Sequence, residues 1–327
     1  MNTSYIYSAS RVNTLSQELL THADIERLLV AVPGESLANA LKETYLAPYL
    51  LQAADEDVAI AIEGTLVRAR ALIESIAPDS AQFRALWVQY DVHNLRVLAK
   101  GTKESLTVEQ LAGYISKRGS YDVEMLAQYA SEGTLNNLQP GWQDVYDTAV
   151  QHVAAGEIDK VDAEFDALVL RTMVEIAKVA TDPFIAVYVS AVIDIHNCKA
   201  VLRASKLPET VAQPVLAAGG TVSPSQLVGV ESVVSTLEYL SPGHFTTALE
   251  QFFDDGHTTT LDARCEEYII GLAVAASIDM FSAASLVAYY LRVRQSATNI
   301  RTIVVGIESG QTTDIIRSNI RFAYVSN

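Results

Sequence analysis

The chain has 327 residues, half of them hydrophobic, and a formal net charge of −16. This excess of acid disfavours binding to nucleic acid, whose phosphates require Lys and Arg, and docking on anionic lipid. The length allows two or three domains, each able to bury a small core of its own. Cys198 and Cys265 have no metal-ligand spacing, which favours reduced thiols in a core over a disulfide.

The N-terminal residues lack the basic and then apolar layout of a secretion signal, so none is expected. The first long helix is predicted to begin at Asp57, because an acid at a helix start accepts the free amide donors of the first turn. In the next helix, apolar residues recur at the three- and four-residue spacing of a single face. That face comprises Phe83, Leu86, Trp87, Tyr90, Asn94, Val97 and Leu98.

This second helix contains a six-residue signature that returns twice along the chain. Its asparagines are 103 and 102 residues apart, so three such periods nearly account for the whole length. A period this long favours triplication of a domain over a solenoid, and we predict domains at 1–115, 116–220 and 221–327. The three copies are Asp91-Val-His93-Asn94-Leu-Arg96, Asp194-Ile-His196-Asn197-Cys-Lys199 and, more weakly, Ser296-Ala-Thr298-Asn299-Ile-Arg301.

Features on both sides of the signature recur as well. Asp162 and Asp262 precede their asparagines by 35 and 37 residues and predict two further helix starts, as Asp57 does in the first unit. After the asparagine, Thr107 and Thr312 each begin a predicted capped helix at an offset of 13 residues. The second unit is predicted to reach its version of this helix later, after an insertion. That version begins at Ser223, and the insertion contains Gly219-Gly220.

Helical spacing extends over almost the whole chain, and long runs of the strict alternation typical of strands are absent. The predicted fold class is therefore all-α, with three similar helical domains around a pseudo-threefold axis.

One apolar stretch, Tyr268 to Leu291, is long enough to span a bilayer and carries a single ionised group, Asp279. It is built largely from Ala, Ser and Gly, and an Asp near its centre would oppose insertion. Its counterpart in the second unit, Phe184 to Asp194, is too short to span. We therefore predict two helices, or one bent helix, buried in the third unit, and keep a membrane anchor as the alternative.

The asparagine of the signature lies within the apolar stripe of its helix, where a polar amide must find partners. One interpretation is that it bonds to backbone or to the neighbouring acid and fixes how helices cross. The other is that it faces a central opening and contacts a partner. The residues of this structural signature are Asp91, Asn94, Asp194, Asn197 and Asn299.

Basic residues lie on the opposite side of the same helices in all three units. They either form a solvated face with ordinary ion pairs, each of which contributes little, or line a basic surface that meets an acidic partner. As candidate partner-binding residues they are Arg96, Lys100, Lys199, Arg203, Arg294 and Arg301.

No catalytic, cofactor or metal site is predicted. The acid and the histidine of the signature are two residues apart and point to different sides of a helix, so they cannot chelate one ion together. The chain has no phosphate-binding GxxxxGK[ST] loop and no GxSxG or HExxH motif. The remaining enzymatic hypothesis is an all-α enzyme with a pocket between domains.

The three signatures, together with the opening Tyr7-Ser-Ala-Ser-Arg11-Val12 and the closing Ile315-Ile-Arg317, resemble the family of the C subunit of archaeal (A-type) and V-type ATP synthases. The d subunit of the eukaryotic V-ATPase belongs to the same family. The resemblance spans the whole chain, and the departures are Cys198 and Ser296. It implies a funnel of three helical domains that is peripheral to the cytoplasmic face of the membrane and has no membrane span of its own.

The resemblance also implies a function without catalysis. In the family, the protein sits on the membrane rotor c-ring and accepts the tip of the shaft, subunits D and F, in its opening. It turns with them and transmits torque between ion flow and the ATP-converting head. It binds no nucleotide, cofactor or metal, and its contact residues do not follow from the resemblance.

Overall fold

The computed structural model describes residues 3–132, 138–207 and 214–325. Within these ranges the regular secondary structure consists of α-helices and short 3-10 turns, without a β-strand, which confirms the all-α class. The α-helices are α1 Ile6–Ser16, α2 His22–Leu29, α3 Glu35–Lys42, α4 Ala47–Leu50, α5 Val58–Ile76, α6 Arg84–Gly101, α7 Val108–Leu111, α8 Val123–Glu132, α9 Trp142–Ala155, α10 Ile158–Val179, α11 Pro183–Ala204, α12 Val230–Leu240, α13 Thr246–Asp255, α14 Thr259–Ala276, α15 Ala284–Glu308 and α16 Thr313–Ser318.

The three copies of the signature lie on α6, α11 and α15, here called the signature helices. Each follows a helix of 18 to 22 residues, namely α5, α10 and α14, here called the preceding helices. Each signature helix packs against the preceding helix of the next unit: α6 on α10, α11 on α14, and α15 back on α5. The order of contacts therefore closes on itself.

The three signature helices also begin next to one another. The Asp182 backbone N–H, just before α11, donates to Gln82 Oε1, just before α6, at 3.0 Å. The Asp182 carboxylate caps its own helix through Phe184 N–H at 2.9 Å and accepts Ala283 N–H, just before α15, at 2.8 Å. Because Asp182 is buried, these bonds are shielded from water and hold the three helix starts together.

The two ends of the described chain lie against each other. Arg317 of α16 binds both carboxylate oxygens of Glu26 on α2, at 2.5 and 2.6 Å. The His22 ring stacks on Phe322 at a centroid distance of 5.6 Å. The last unit is thereby attached to the first by side chains as well as by the packing of α15 on α5.

The apolar core runs across the predicted domain boundaries. One cluster joins buried residues of all three units, and Trp87 of the first unit packs edge-on against Tyr290 of the third, at 6.0 Å. A smaller cluster between α11, α12, α13 and α14 holds Cys198 and Cys265 as free thiols. Burial raises the pKa of both thiols to about 12, which makes them unreactive near neutral pH.

The stretch from Tyr268 to Leu291 forms two helices, as predicted, because α14 ends at Ala276 and α15 begins at Ala284. Among the described residues, one other helix is long and apolar enough to cross a membrane. It is α11, with a mean hydropathy of 1.4, and 61% of that apolar window is buried within the protein. The prediction that this part of the second unit is too short to span is wrong, because the helix has 22 residues and continues beyond the segment Phe184 to Asp194. Buried Asp194 and Asn197 lie within the helix, as in a core helix.

The burial of α6 is wider than the single face predicted from its sequence. Val88, Val92 and Leu95, outside that stripe, are fully buried, whereas Tyr90 and Val97 within it are only partly buried. The reason is that α6 contacts α8 and α9 as well as α10. A helix that is surrounded on several sides does not show one narrow apolar stripe.

Candidate functional site

Each asparagine of the signature is fully buried and forms two hydrogen bonds with a single backbone residue farther along the chain. Asn94 Nδ2 donates to the Ser116 carbonyl at 2.9 Å, and the Ser116 N–H donates to Asn94 Oδ1 at 2.8 Å. The same pair of bonds recurs in the other units, and we call the three pairs the amide clasps. The other two are Asn197–Ala217, at 2.8 Å for both bonds, and Asn299–Arg321, at 2.9 Å for both.

The acid three residues before the asparagine holds the same returning segment farther on. Asp91 Oδ1 accepts the Tyr121 N–H at 2.9 Å. Asp194 accepts the N–H groups of Thr221 and Val222 at 3.0 and 3.1 Å. These donors lie four or five residues after the clasped residue. Each carboxylate therefore extends the attachment that the asparagine begins.

The third unit lacks this acid and uses a different side chain. Ser296 occupies the position of the acid, and the neighbouring Gln295 donates to the Ala323 carbonyl at 2.6 Å. The returning segment is again held at two places, although the second bond now runs from side chain to backbone oxygen.

A glycine accompanies the acid wherever the acid is present. A Cβ placed on Gly119 would lie 2.2 Å from Asp91 Oδ1, and one on Gly220 would lie 2.1 Å from Asp194 Oδ1. These distances leave no room for a side chain. In the third unit, where the acid is replaced by Ser296, the residue three positions after the clasped one is Tyr324 instead of glycine. The acid and the glycine thus occur together, because the carboxylate packs against the glycine where a side chain would not fit.

These contacts decide between the two interpretations of the asparagine. The amide bonds to backbone, as one interpretation predicted, but to a returning segment and not to a crossing helix or to the neighbouring acid. Its complete burial is incompatible with direct contact to a partner in a central opening. Asp91, Asn94, Asp194, Asn197 and Asn299 are all buried, and their side chains are hydrogen-bonded within the chain.

The clasps also correct one correspondence between units. Thr107 and Thr312 cap helices after the signature, as predicted. Ser223 caps a short 3-10 turn, but it follows the clasped Ala217 by six residues, as Asp122 follows Ser116. Its counterpart is therefore Asp122 at the start of α8, and not Thr107. The predicted insertion with Gly219-Gly220 is therefore wrong, because the asparagine and the clasped residue are 20 residues apart in the second unit and 22 in the other two. Residues 208–213 lie outside the described residues.

Four of the six predicted basic residues bind acids on the preceding helix of the next unit. Lys100 Nζ lies 2.7 Å from Asp162 Oδ1, and Arg96 lies 2.5 Å from Asp166 and 3.6 Å from Asp162. In the next unit, Lys199 binds the Asp262 carboxylate and Arg203 lies 3.8 Å from it. These ion pairs bridge neighbouring units.

The role predicted for two of the recurrent acids is consequently wrong. Asp57 does cap α5, through the Ile60 N–H at 2.9 Å. Asp162 and Asp262, however, lie inside α10 and α14, where their carboxylates bind the cations of the preceding unit. The error arises because an offset counted along the chain does not reveal where a helix begins.

The two cations of the third signature helix differ from the other four. Arg294 is half-buried and lies close to the phenol groups of Tyr90, Tyr188 and Tyr290. Arg301 is exposed and has no acid partner within salt-bridge distance among residues 3–132, 138–207 and 214–325. The predicted set of six thus contains four cations that are already paired and two that are not.

Three clefts lie along the signature helices. One, of about 400 Å³, is lined by His93 and Arg96 of α6 together with His196 and Arg203 of α11. Burial lowers the pKa of His196, so its ring is neutral near pH 7. The other two clefts, of about 540 and 390 Å³, share Arg301 and Ala59. No group of three His, Cys, Asp or Glu side chains among the described residues could hold a metal ion.

The sequence analysis did not single out the residues around Arg301. Ala59, Lys117 and Tyr114 line the largest of these clefts, and none belongs to the signature. The sequence could have pointed to them only indirectly, through the residue of α5 that corresponds to Asp162 of α10.

Replacing Gly220 by Ala should lower the free energy of unfolding by about 1–3 kcal/mol, since the new methyl group overlaps Asp194 Oδ1. Gly113→Ala is the control, because a Cβ there meets no atom within 4 Å, and its change should stay within about 0.5 kcal/mol. In denaturant unfolding, Asp194→Ser combined with Gly220→Ala should cost less than the sum of the single changes. Strict additivity would show that the two residues are not coupled.

Burial raises the pKa of the Asp91 carboxyl to about 6, against the opposing hydrogen bond from the Tyr121 N–H. The folded protein thus holds this proton more tightly than the unfolded chain, whose pKa is about 4. The resulting stabilisation is full below pH 4 and is lost as the pH rises through 6. Relative to Asp91→Asn, the free energy of unfolding should fall by about 1 kcal/mol from pH 5 to pH 7. A difference that does not change with pH would refute this shift.

Comparison with known proteins agrees with the resemblance seen in the signatures. A search of curated proteins finds no match to the chain. The family model for the ATP synthase (C/AC39) subunit matches residues 9–319, and this range contains all three signature helices. The chain therefore belongs to the ATP synthase (C/AC39) subunit family, whose members are subunits of V- and A-type membrane ATPases.

Proposed function

We propose that this protein is the non-catalytic central-stalk subunit that links the shaft, subunits D and F, to the membrane c-ring. It would transmit torque between ion translocation and ATP synthesis or hydrolysis, from the cytoplasmic face of the membrane. The observation that carries the proposal is the closed order of contacts, in which each signature helix packs on the preceding helix of the next unit. A closed arrangement resists shear better than an open row of domains, because no unit has a free side.

Three further features support a stiff, torque-bearing part. The starts of the three signature helices are joined through Asp182, and the chain ends are joined through Arg317 and Glu26. Each returning segment is fixed by an amide clasp. Packed interiors and buried hydrogen bonds of this kind deform little under load.

The pseudo-threefold arrangement and the domains 1–115, 116–220 and 221–327 belong to this proposal. Three clasps at nearly equal spacing support them, as does the cyclic contact order. The returning segments lie at the proposed boundaries, since Ser116 and Ala217 are within a few residues of them. Each boundary is thus a place where one unit holds the start of the next.

The partner surface is proposed to include the six basic residues, with unequal roles. Arg96, Lys100, Lys199 and Arg203 are neutralised by acids of the neighbouring unit and would chiefly join units. Arg301 is available to a partner. The charge of −16 favours contact with protein over anionic lipid, so the protein would reach the membrane through the protein loops of the ring.

The clefts give little support to the alternative hypothesis that the protein is an all-α enzyme. The cleft that contains His93 and His196 has Asp166 as its acid, and that carboxylate is held by Arg96 at 2.5 Å. An acid bound to a guanidinium is a poor general base.

The proposal is tested by co-expressing the protein with subunits D and F and the membrane ring encoded in the same genome. We expect one stable complex that contains all of them. Deletion of the gene should leave ATP hydrolysis by the catalytic head while abolishing ATP-driven ion pumping in membrane vesicles. Recovery of neither shaft nor ring with the protein, or pumping that persists without it, would contradict the proposed function.

A further inference from the structure

The three junctions between units are not equivalent in charge. At the junction of α6 with α10, Asp162 receives Lys100 and Arg96. At the junction of α11 with α14, Asp262 receives Lys199, with Arg203 nearby. At the junction of α15 with α5, the corresponding cation is Arg301, and no acid within salt-bridge distance faces it among the described residues.

The missing acid can be located from the buried positions of the preceding helices. Phe165 and Cys265 are fully buried three residues after Asp162 and Asp262, and Ile62 of α5 is buried in the same way. Counting back three residues from Ile62 gives Ala59. This alanine lines two clefts together with Arg301, at the position that an aspartate fills at the other two junctions. Glu56, Asp57 and Glu308 line the smaller of these clefts, but none of them is within salt-bridge distance of Arg301.

The second acid at the junction of α15 with α5 is bound by a different cation. Glu63 lies four residues after Ala59, as Asp166 lies four after Asp162, but it is bound by Arg118 at 2.7 Å and by the Ser116 hydroxyl at 3.3 Å. It therefore does not neutralise Arg301, and the guanidinium is left exposed at the mouth of a cleft.

The larger cleft has the chemistry of a binding surface for an acidic protein segment. Its volume is about 540 Å³, and Lys117 and His93 line it together with Arg301. Lys117 is exposed and, like Arg301, has no acid partner within salt-bridge distance among the described residues. Two apolar side chains stand at the same cleft, Ile60 with 52% and Tyr114 with 69% of their surface exposed.

We infer that the larger cleft, formed by α5, residues 112–118 and Arg301 of α15, is the docking site for an acidic amphipathic helix of the shaft, and this inference rests on the proposed function. A carboxylate of that helix takes the place vacated at Ala59 and binds Arg301 and Lys117. An apolar residue one turn away packs on Ile60 and Tyr114. A cleft that offers cations and exposed apolar side chains side by side suits an amphipathic helix, which presents anchors at three- and four-residue spacing.

The site also explains how units of similar fold can hold a shaft in one orientation. Two junctions are closed by their own ion pairs, and one is left open to an acid from outside. Binding at a single junction fixes the rotational position of the shaft, because rotation to either other junction would bring its carboxylate to Asp162 or Asp262.

Two variants change the site in opposite ways. Arg301→Glu reverses the charge that receives the partner. Ala59→Asp restores the acid of the other junctions, so that the site is filled by the protein itself. The controls are Lys178→Glu, an exposed cation on α10 outside these clefts, and Ala59→Ser, which adds an oxygen without charge. Binding of the purified D–F pair and capture of the detergent-solubilised ring are measured separately, with melting temperature as the check on folding.

We expect both variants to bind D–F roughly tenfold more weakly or worse, while ring capture and melting temperature stay at wild-type values and both controls bind normally. Wild-type binding should weaken as salt is raised, and binding by Arg301→Glu should respond less. If both variants bind D–F like the wild type, the site is wrong although the proposed function stands. If the wild type binds neither D–F nor the ring, the proposed function is wrong. The inference that a shaft helix occupies the cleft is then wrong as well.

Discussion

The structure depends on one repeated interaction, the pair of hydrogen bonds between a buried asparagine and the backbone of a returning segment. Asparagine suits this place because its amide carries N–H donors and a carbonyl acceptor on a single rigid plane. A backbone residue presents the complementary pair, so its N–H and its carbonyl are both hydrogen-bonded away from water. In each unit the clasp secures the segment that leaves the signature helix. Without it, each returning segment would be held only by the bonds of the acid or of Gln295 farther along.

The acid and the glycine beside the clasp show how closely the returning segment is fitted. Asp91 and Asp194 approach the backbone so closely that a Cβ at Gly119 or Gly220 would overlap the carboxylate. The third unit lacks both the acid and the glycine, which indicates that each depends on the other. An acid without the glycine would meet a steric clash, and a glycine without the acid would leave backbone N–H groups of the returning segment without their acceptor.

Much of the fold follows from the sequence, because helical spacing, capping residues and the period of the signature are local patterns. The sequence indicated the helices, the burial of the asparagines and the break between α14 and α15. It did not indicate the partner of each amide, since spacing along one helix does not tell which loop approaches it. Asp162 and Asp262 are not caps, because α10 and α14 begin three or four residues earlier. The counterpart of Ser223 was misjudged because the sequence alone did not show that Ala217 matches Ser116, so a different alignment suggested an insertion that the spacing of the clasps does not contain.

The basic residues show that sequence patterns are limited in the same way for the candidate site. Their recurrence is visible in the sequence, but their partners belong to the next unit and lie about 60 residues farther on, as Asp162 does from Lys100. Pairing neutralises four of them and leaves Arg301 exposed. The proposed difference between cations that join units and one that meets a partner therefore rests on a single residue on a helix of another unit, Ala59, and not on the signature itself.

The most direct test of this account is the free energy of unfolding of the three single variants Asn94→Ala, Asn197→Ala and Asn299→Ala, measured in denaturant. Each should lose about 1–3 kcal/mol, because each leaves a backbone donor and acceptor without partners. Asn13→Ala, at an exposed position of α1, should stay near the wild-type value. If all three clasp variants were as stable as Asn13→Ala, the clasps would not hold the fold together and the account would be wrong.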